Sequence, residues 1–245
     1  MNLLVAQYHQ KNLRNPYQYM VLIILCMIYM SIMLCNAILT NRYIGEENLF
    51  VLGGTFTSPI IFILDDIIAE IYGYKITRVV VITGFLSQTL FIVICQFVVN
   101  APHPSSFNSQ IAYNEVLGWS LVRINISGFV AYIVANLTNS YLLSRWKVLL
   151  KGRYFWLRSL GSSTISEALY SFIAILMMEL ASIPFKKIID VVIISFSIKV
   201  AYTVIFAGPV SILVAYLKNL TGIDIYDLPH KFTPFKYIKN NLEYF

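Results

Sequence analysis

Long apolar runs separated by short polar connections dominate this chain. A helix needs about 20 predominantly apolar residues to cross the hydrocarbon core of a bilayer. Six segments supply them: 19–39, 50–71, 79–99, 116–143, 157–179 and 188–217. The pattern therefore predicts an all-α integral membrane protein, a bundle of six transmembrane helices. It divides into an N-terminal segment 1–18, a membrane domain 19–217 and a C-terminal tail 218–245. Residues 1–16 are polar and no small-residue cleavage site follows the first apolar run, so that run is read as a retained span.

The second segment, FVLGGTFTSPIIFILDDIIAEIYG, breaks the pattern. Gly53, Gly54 and Pro59 interrupt it. Ser58 before Pro59 reads as an N-cap followed by a proline at the first helical position. The helix left between Pro59 and Ile71 would span roughly 20 Å at 1.5 Å per residue, too short to cross alone. The expectation is a short or broken second helix preceded by irregular backbone, as transporters place at binding sites. Gly208-Pro209 predicts a kink in the sixth segment.

Composition sharpens the class. Of 245 residues, 58% are hydrophobic and 12% charged, about half the charge of a soluble domain. Mean hydropathy is +0.70. A disordered chain, a disulfide-stapled module and an ordinary cytosolic enzyme are excluded. The net charge of +6 lies mostly in the connections, where it reports topology and not nucleic-acid binding. Thirteen Lys and Arg residues fall on the N-terminal side of the spans; only Arg42, Lys186 and Lys187 fall opposite. Both termini are expected in the cytoplasm. Cys26, Cys35 and Cys95 lie scattered in apolar runs, and His9, His103 and His230 lie apart, so no metal or cofactor is expected. No GxxxxGK[ST], HExxH or GxSxG motif occurs, so the chain reads as neither an ATPase nor another enzyme.

Ionisable groups inside a span are costly and mark function. Asp65, Asp66 and Glu70 lie in the second segment, Arg123 in the fourth, Glu167 in the fifth and Lys199 in the sixth. Asp66 and Glu70 share a helix face; Asp65 points about 100° away. Ser163, Glu167 and Tyr170 recur at helical spacing, as do Ser195, Lys199 and Tyr202. Pairing of Lys199 with Glu167, or Arg123 with Asp65, would hold the bundle together. Four acids do not balance two cations, and setting Glu70 aside as interfacial still leaves one acid unpaired, which favours a polar cavity for a donor-rich or cationic solute, or a proton. Asn36, Gln88, Gln96, Asn125, Asn136 and Asn139 are further candidates to line it.

The stretch NRYIGEENLFVLGGTFTSPIIFILDDIIAEIYGYKITR resembles the signature of the queuosine-precursor transporter (VUT) family, through Pro59, Asp66, Glu70, Tyr72, Gly73, Tyr74, Lys75 and Arg78. A second block, ANLTNSYLLSRWKVLLKGRYFWLRSLGSS, is similar through Asn136, Asn139, Lys147, Gly152, Arg158 and Ser162. The resemblance implies a bacterial inner-membrane importer of 7-deazaguanine bases: 7-cyano-7-deazaguanine, 7-aminomethyl-7-deazaguanine or queuine. It also implies a plan like that of energy-coupling-factor substrate-binding subunits, whose members need a separate ATPase. A carboxylate can accept the N1–H and 2-amino groups of such a base together, and a cation can donate to O6. The expected substrate-binding residues are Asp65, Asp66, Glu70, Arg123, Glu167, Lys199, Tyr170 and Asn136. The expected partners are the base and membrane lipid, not nucleic acid; homo-oligomerisation is left open.

Overall fold

The structure, a computed structural model, describes residues 16–46, 49–180 and 182–225. The N-terminal segment and most of the tail, with Lys11, Arg14, Lys231, Lys236 and Lys239, lie outside the described residues. The elements in order are α1 (Pro16–Leu39), β1 (Tyr43–Glu46), β2 (Leu49–Leu52), α2 (Gly54–Val99), α3 (Gln110–Leu117), α4 (Trp119–Leu149), α5 (Phe155–Glu179) and α6 (Phe185–Thr221). β1 and β2 pair antiparallel, with Tyr43 opposite Leu52 and Glu46 opposite Leu49. Among the described residues, five helical stretches are long and apolar enough to cross a bilayer. The protein is a multi-pass membrane protein.

Periodicity decides which faces are buried. On α1 the inward residues Val21, Leu25, Tyr29, Met33 and Ala37 recur every fourth position, one stripe of a helix. Between them Ile23, Ile24, Met27 and Ile28 are exposed. The same outward apolar surface continues over Leu86, Leu90 and Phe97 of α2 and Ile193, Ile205 and Ile212 of α6. A soluble protein does not leave so much contiguous apolar surface in water; here lipid covers it. α4 and α5 form the most extensive helix pair. Their buried faces are rich in small residues, with Ala131, Ala135 and Ser140 on one and Ser159, Ser162, Ser163 and Ser166 on the other. Small residues let backbones approach closely where lipid offers no hydrophobic drive.

α2 is not one rod. Gly73 adopts φ 81° and ψ 169° inside it, a region essentially reserved for glycine. The Phe62 and Phe85 rings both pack on Tyr132, at centroid distances of 5.4 and 4.9 Å. A straight helix would hold those residues roughly 35 Å apart. The chain therefore folds back at Gly73, and arms 54–72 and 74–99 run antiparallel. The first arm is buried almost all round, between α1, α4, α5 and α6.

The start of this arm corrects the expectation of a short helix opening at Pro59. The helix begins at Gly54, Gly53 is its N-cap, and Ser58 and Pro59 lie inside it. No irregular backbone precedes it; the β-hairpin leads straight in, with Gly53 N donating to Arg42 O at 2.7 Å. The glycines serve close approach to the end of α1. A Cβ on Gly53 would sit 2.3 Å from the Leu39 carbonyl oxygen, and one on Gly54 2.1 Å from Thr40 Oγ1. α6 continues as helix through Gly208 and Pro209.

Candidate functional site

The first arm of α2 carries three acids at successive depths, and each meets a different set of partners. Nearest the Gly73 turn, Glu70 is enclosed by cations. Arg158 of α5 donates from both terminal nitrogens to its two oxygens, at 3.0 Å each. Lys218 of α6 lies 2.6 Å away and Lys147 of α4 3.7 Å. Lys147 also donates to the Glu70 carbonyl, to Asp224 and to the Ile225 carbonyl. Asp224 bridges Lys147 and Lys218 at 2.7 and 2.9 Å, and Ile225 N donates to the Ile71 carbonyl. Residues 222–225 thus strap the end of the bundle. Burial works against the Asp224 carboxylate, but hydrogen bonds and charges from Lys147 and Lys218 outweigh it and hold its pKa below the ordinary value.

One turn deeper lie Asp65 and Asp66, 0% and 1% exposed. Among the described residues neither has a cation within ion-pair distance. Asp66 accepts from Asn139 at 2.5 Å, from Ser163 at 2.9 Å and from Ser159. Asp65 accepts through Oδ2 from Tyr132 and from Asn136, the latter at 2.6 Å. Tyr132 is in turn hydrogen-bonded to Tyr29 of α1 at 2.9 Å. Asp65 Oδ1 and Asn139 Oδ1 are buried with no hydrogen-bond partner among the described residues.

Toward the β-hairpin, α5 and α6 bring Glu167 and Lys199 into one layer. The Thr203 hydroxyl lies 3.2 Å from both Glu167 oxygens. Lys199 Nζ donates to Ser171 Oγ at 2.9 Å and lies 4.6 Å from the centroid of the Tyr170 ring. The two opposite charges are not within 4 Å of each other, so the expected ion pair is replaced by hydroxyl and ring contacts. The inward face of α6 follows Ser195, Lys199 and Thr203; Tyr202, expected on it, stacks on Phe206 instead.

Two small cavities adjoin this layer, about 20 Å³ each, room for a water but not for a flat ligand. One is lined by Asn36, Ser58, Phe85, Gln88 and Tyr132, among others. The other is lined by Thr40, Gly54, Thr55 and Lys199, among others. Tyr170 and Met178 line both.

Beyond the cavities lies the hairpin end. Tyr43 of β1 donates to Glu179 Oε2 at 3.0 Å. Burial, then the Glu179 charge, pushes the Tyr43 hydroxyl up to about 12, so it stays a donor at neutral pH. Arg123 donates to Ser182 at 3.0 Å. It does not reach Asp65, which corrects the second expected ion pair.

Of the eight expected residues, Tyr170 and Lys199 line the cavities, Glu167 meets Thr203 in the layer of Lys199, and Asp65, Asp66 and Asn136 form the layer beneath. Glu70 is taken up by the cation cluster, and Arg123 sits at the hairpin end. Lys147 and Arg158, read as charges of the connections, are 3% and 0% exposed. Tyr132, Tyr29, Thr203 and Ser171 carry no signal that separates them from other Tyr, Thr and Ser residues of the spans.

Buried charges and amides on facing helices, beside small cavities within a polytopic bundle, are features of membrane transport proteins. Residues 52–214 match the family model described as "Putative vitamin uptake transporter", and the chain belongs to that family. No curated protein and no solved structure matches the chain.

Proposed function

We propose that this protein imports 7-deazaguanine bases, the precursors of queuosine, across the bacterial inner membrane. Counting the two arms of α2 separately, the chain crosses six times. Lys75, Arg78, Arg145, Lys147, Lys151, Arg153, Arg158 and Lys218 cluster toward the Gly73 end, and the positive-inside rule supports a cytoplasmic position for that end.

The observation that carries the reading is the placement of Glu167 and Lys199. Both are buried, opposite in charge and not within 4 Å of each other; Lys199 lines one of two small cavities that share Tyr170 and Met178, and a shift of these two side chains would join the cavities to admit a base. Glu167 would accept the N1–H and 2-amino donors of the base side by side. Lys199 would donate to O6. Tyr170 and Tyr132 would face the ring, with Asn36 and Gln88 available to its remaining polar edge.

The test is uptake of labelled 7-deazaguanine bases in a host lacking both their synthesis and their import, read as queuosine in tRNA. Glu167→Gln and Lys199→Met should each abolish the signal while the protein still reaches the membrane. Wild-type uptake by both variants would overturn the assignment. Uptake by the purified chain in liposomes would exclude an obligatory ATPase partner, the alternative raised by the likeness to energy-coupling-factor subunits.

A further inference from the structure

We infer that Asp65 is a proton-binding site, linked through Tyr132 to the substrate cavity, and that import is coupled to an inward proton flux. The asymmetry between two adjacent acids carries this. Asp66 has both oxygens filled, by three donors from α4 and α5, and is satisfied as an anion. Asp65 has two donors, both on Oδ2, while Oδ1 is buried with no partner. A fully buried carboxylate with an empty oxygen and no counter-ion is among the costliest arrangements a protein can hold. One proton on Oδ1 removes the charge and turns the orphaned acceptor into a donor. Asn139 Oδ1, on the residue that binds Asp66, is the other orphaned acceptor of this layer.

Among the described residues, the surroundings offer no other neutralising group. On its own helix Asp65 meets Asp66, with Glu70 one turn further on. α4 presents Tyr132 and Asn136, α1 presents Tyr29 through Tyr132, and the second arm of α2 packs apolar Phe85 on the Tyr132 ring. On α5, Arg158 is committed to Glu70 and Glu167 is an acid; on α6, Lys199 is bonded to Ser171 and Lys218 to Glu70.

Tyr132 joins this site to transport. It donates to Asp65 and also lines the cavity holding Asn36 and Gln88. A base entering that cavity displaces the Tyr132 hydroxyl, removing one of the two donors to Asp65 and favouring retention of its proton. In the inward-facing state the carboxyl O–H breaks, the proton passes to cytoplasmic water, and the anion awaits a proton from the outer side. One proton is taken up and one released per cycle, with no other reactant.

Infrared spectra of the full chain in lipid vesicles test the site without any substrate. The wild type at neutral pH should show a protonated carboxyl C=O band that shifts in D2O. The band should vanish in Asp65→Asn, persist in Asp66→Asn, and be indifferent to added sodium. Absence of the band in the wild type, its survival in Asp65→Asn, or its loss on adding sodium at constant pH would overturn the proposal, the last in favour of a metal cation.

The coupling arm rests on the import reading. In vesicles with an alkaline interior, wild type should accumulate labelled 7-cyano-7-deazaguanine and Asp65→Asn should only equilibrate it. Accumulation by wild type regardless of the gradient would defeat coupling. A wild type that carries no base would defeat the import reading instead, and the infrared result would still decide the proton site.

Discussion

Arg158 grips Glu70 through two parallel hydrogen bonds of 3.0 Å, with both side chains almost wholly removed from solvent. Lys218 and Lys147 complete the enclosure. Removing one partner of a buried pair strands the other charge. Arg158→Ala should therefore lower the stability of the bundle by about 3–5 kcal/mol. Arg158→Lys should recover only part, because an ammonium cannot reproduce the planar fork. Melting of the detergent-solubilised protein measures both.

The strap at residues 222–225 has a pH signature. The Asp224 carboxyl is held below its ordinary value by Lys147 and Lys218 in spite of burial. Its contribution is fully present above the unfolded value of about 3.9 and is lost as pH falls through the lower folded value. The melting difference between wild type and Asp224→Asn should stay constant from neutral pH to about 5 and close below about 4. A difference that already closes between pH 7 and 6 would contradict the assignment.

Gly73 turns the chain at a backbone conformation that other residues hold only under strain. Gly73→Ala should cost about 1–3 kcal/mol. Gly128→Ala, where an added Cβ meets nothing within 4 Å, is the control and should leave melting unchanged.

Lys199 donates to Ser171 and faces the Tyr170 ring inside the cavity layer. If it donates to the O6 of a bound base, Lys199→Met should weaken binding roughly 10- to 100-fold, the worth of one hydrogen bond to a charged group. Ser171→Ala should weaken it far less, since the ammonium remains. Binding of labelled base to purified protein distinguishes the two.

The membrane class was legible in the sequence because one physical rule, the length of apolar runs, governs it. The break between the second and third spans was legible as a charged connection around Lys75 and Arg78, but its compression into Gly73 was not. Helix-forming neighbours conceal a single residue at positive φ. Arg158 and Lys147 misled for another reason. Basic residues near a span end normally reach solvent, and only a partner on a distant segment, Glu70, draws them inward. The same dependence on partners hid Tyr132, one of 17 tyrosines, whose importance comes from Asp65 across the bundle. The acids were the readable part, since a charge among apolar residues stands out whatever it touches.

The first arm of α2 is a mast with no face toward the bilayer. Every rotation of it would shear packing on four sides at once, whereas α1 and α6 each present one flank to fluid acyl chains and can slide at little cost. If the protein imports its substrate by alternating exposure, that movement falls to these outer helices. The membrane's own thickness and fluidity then become determinants of the turnover rate.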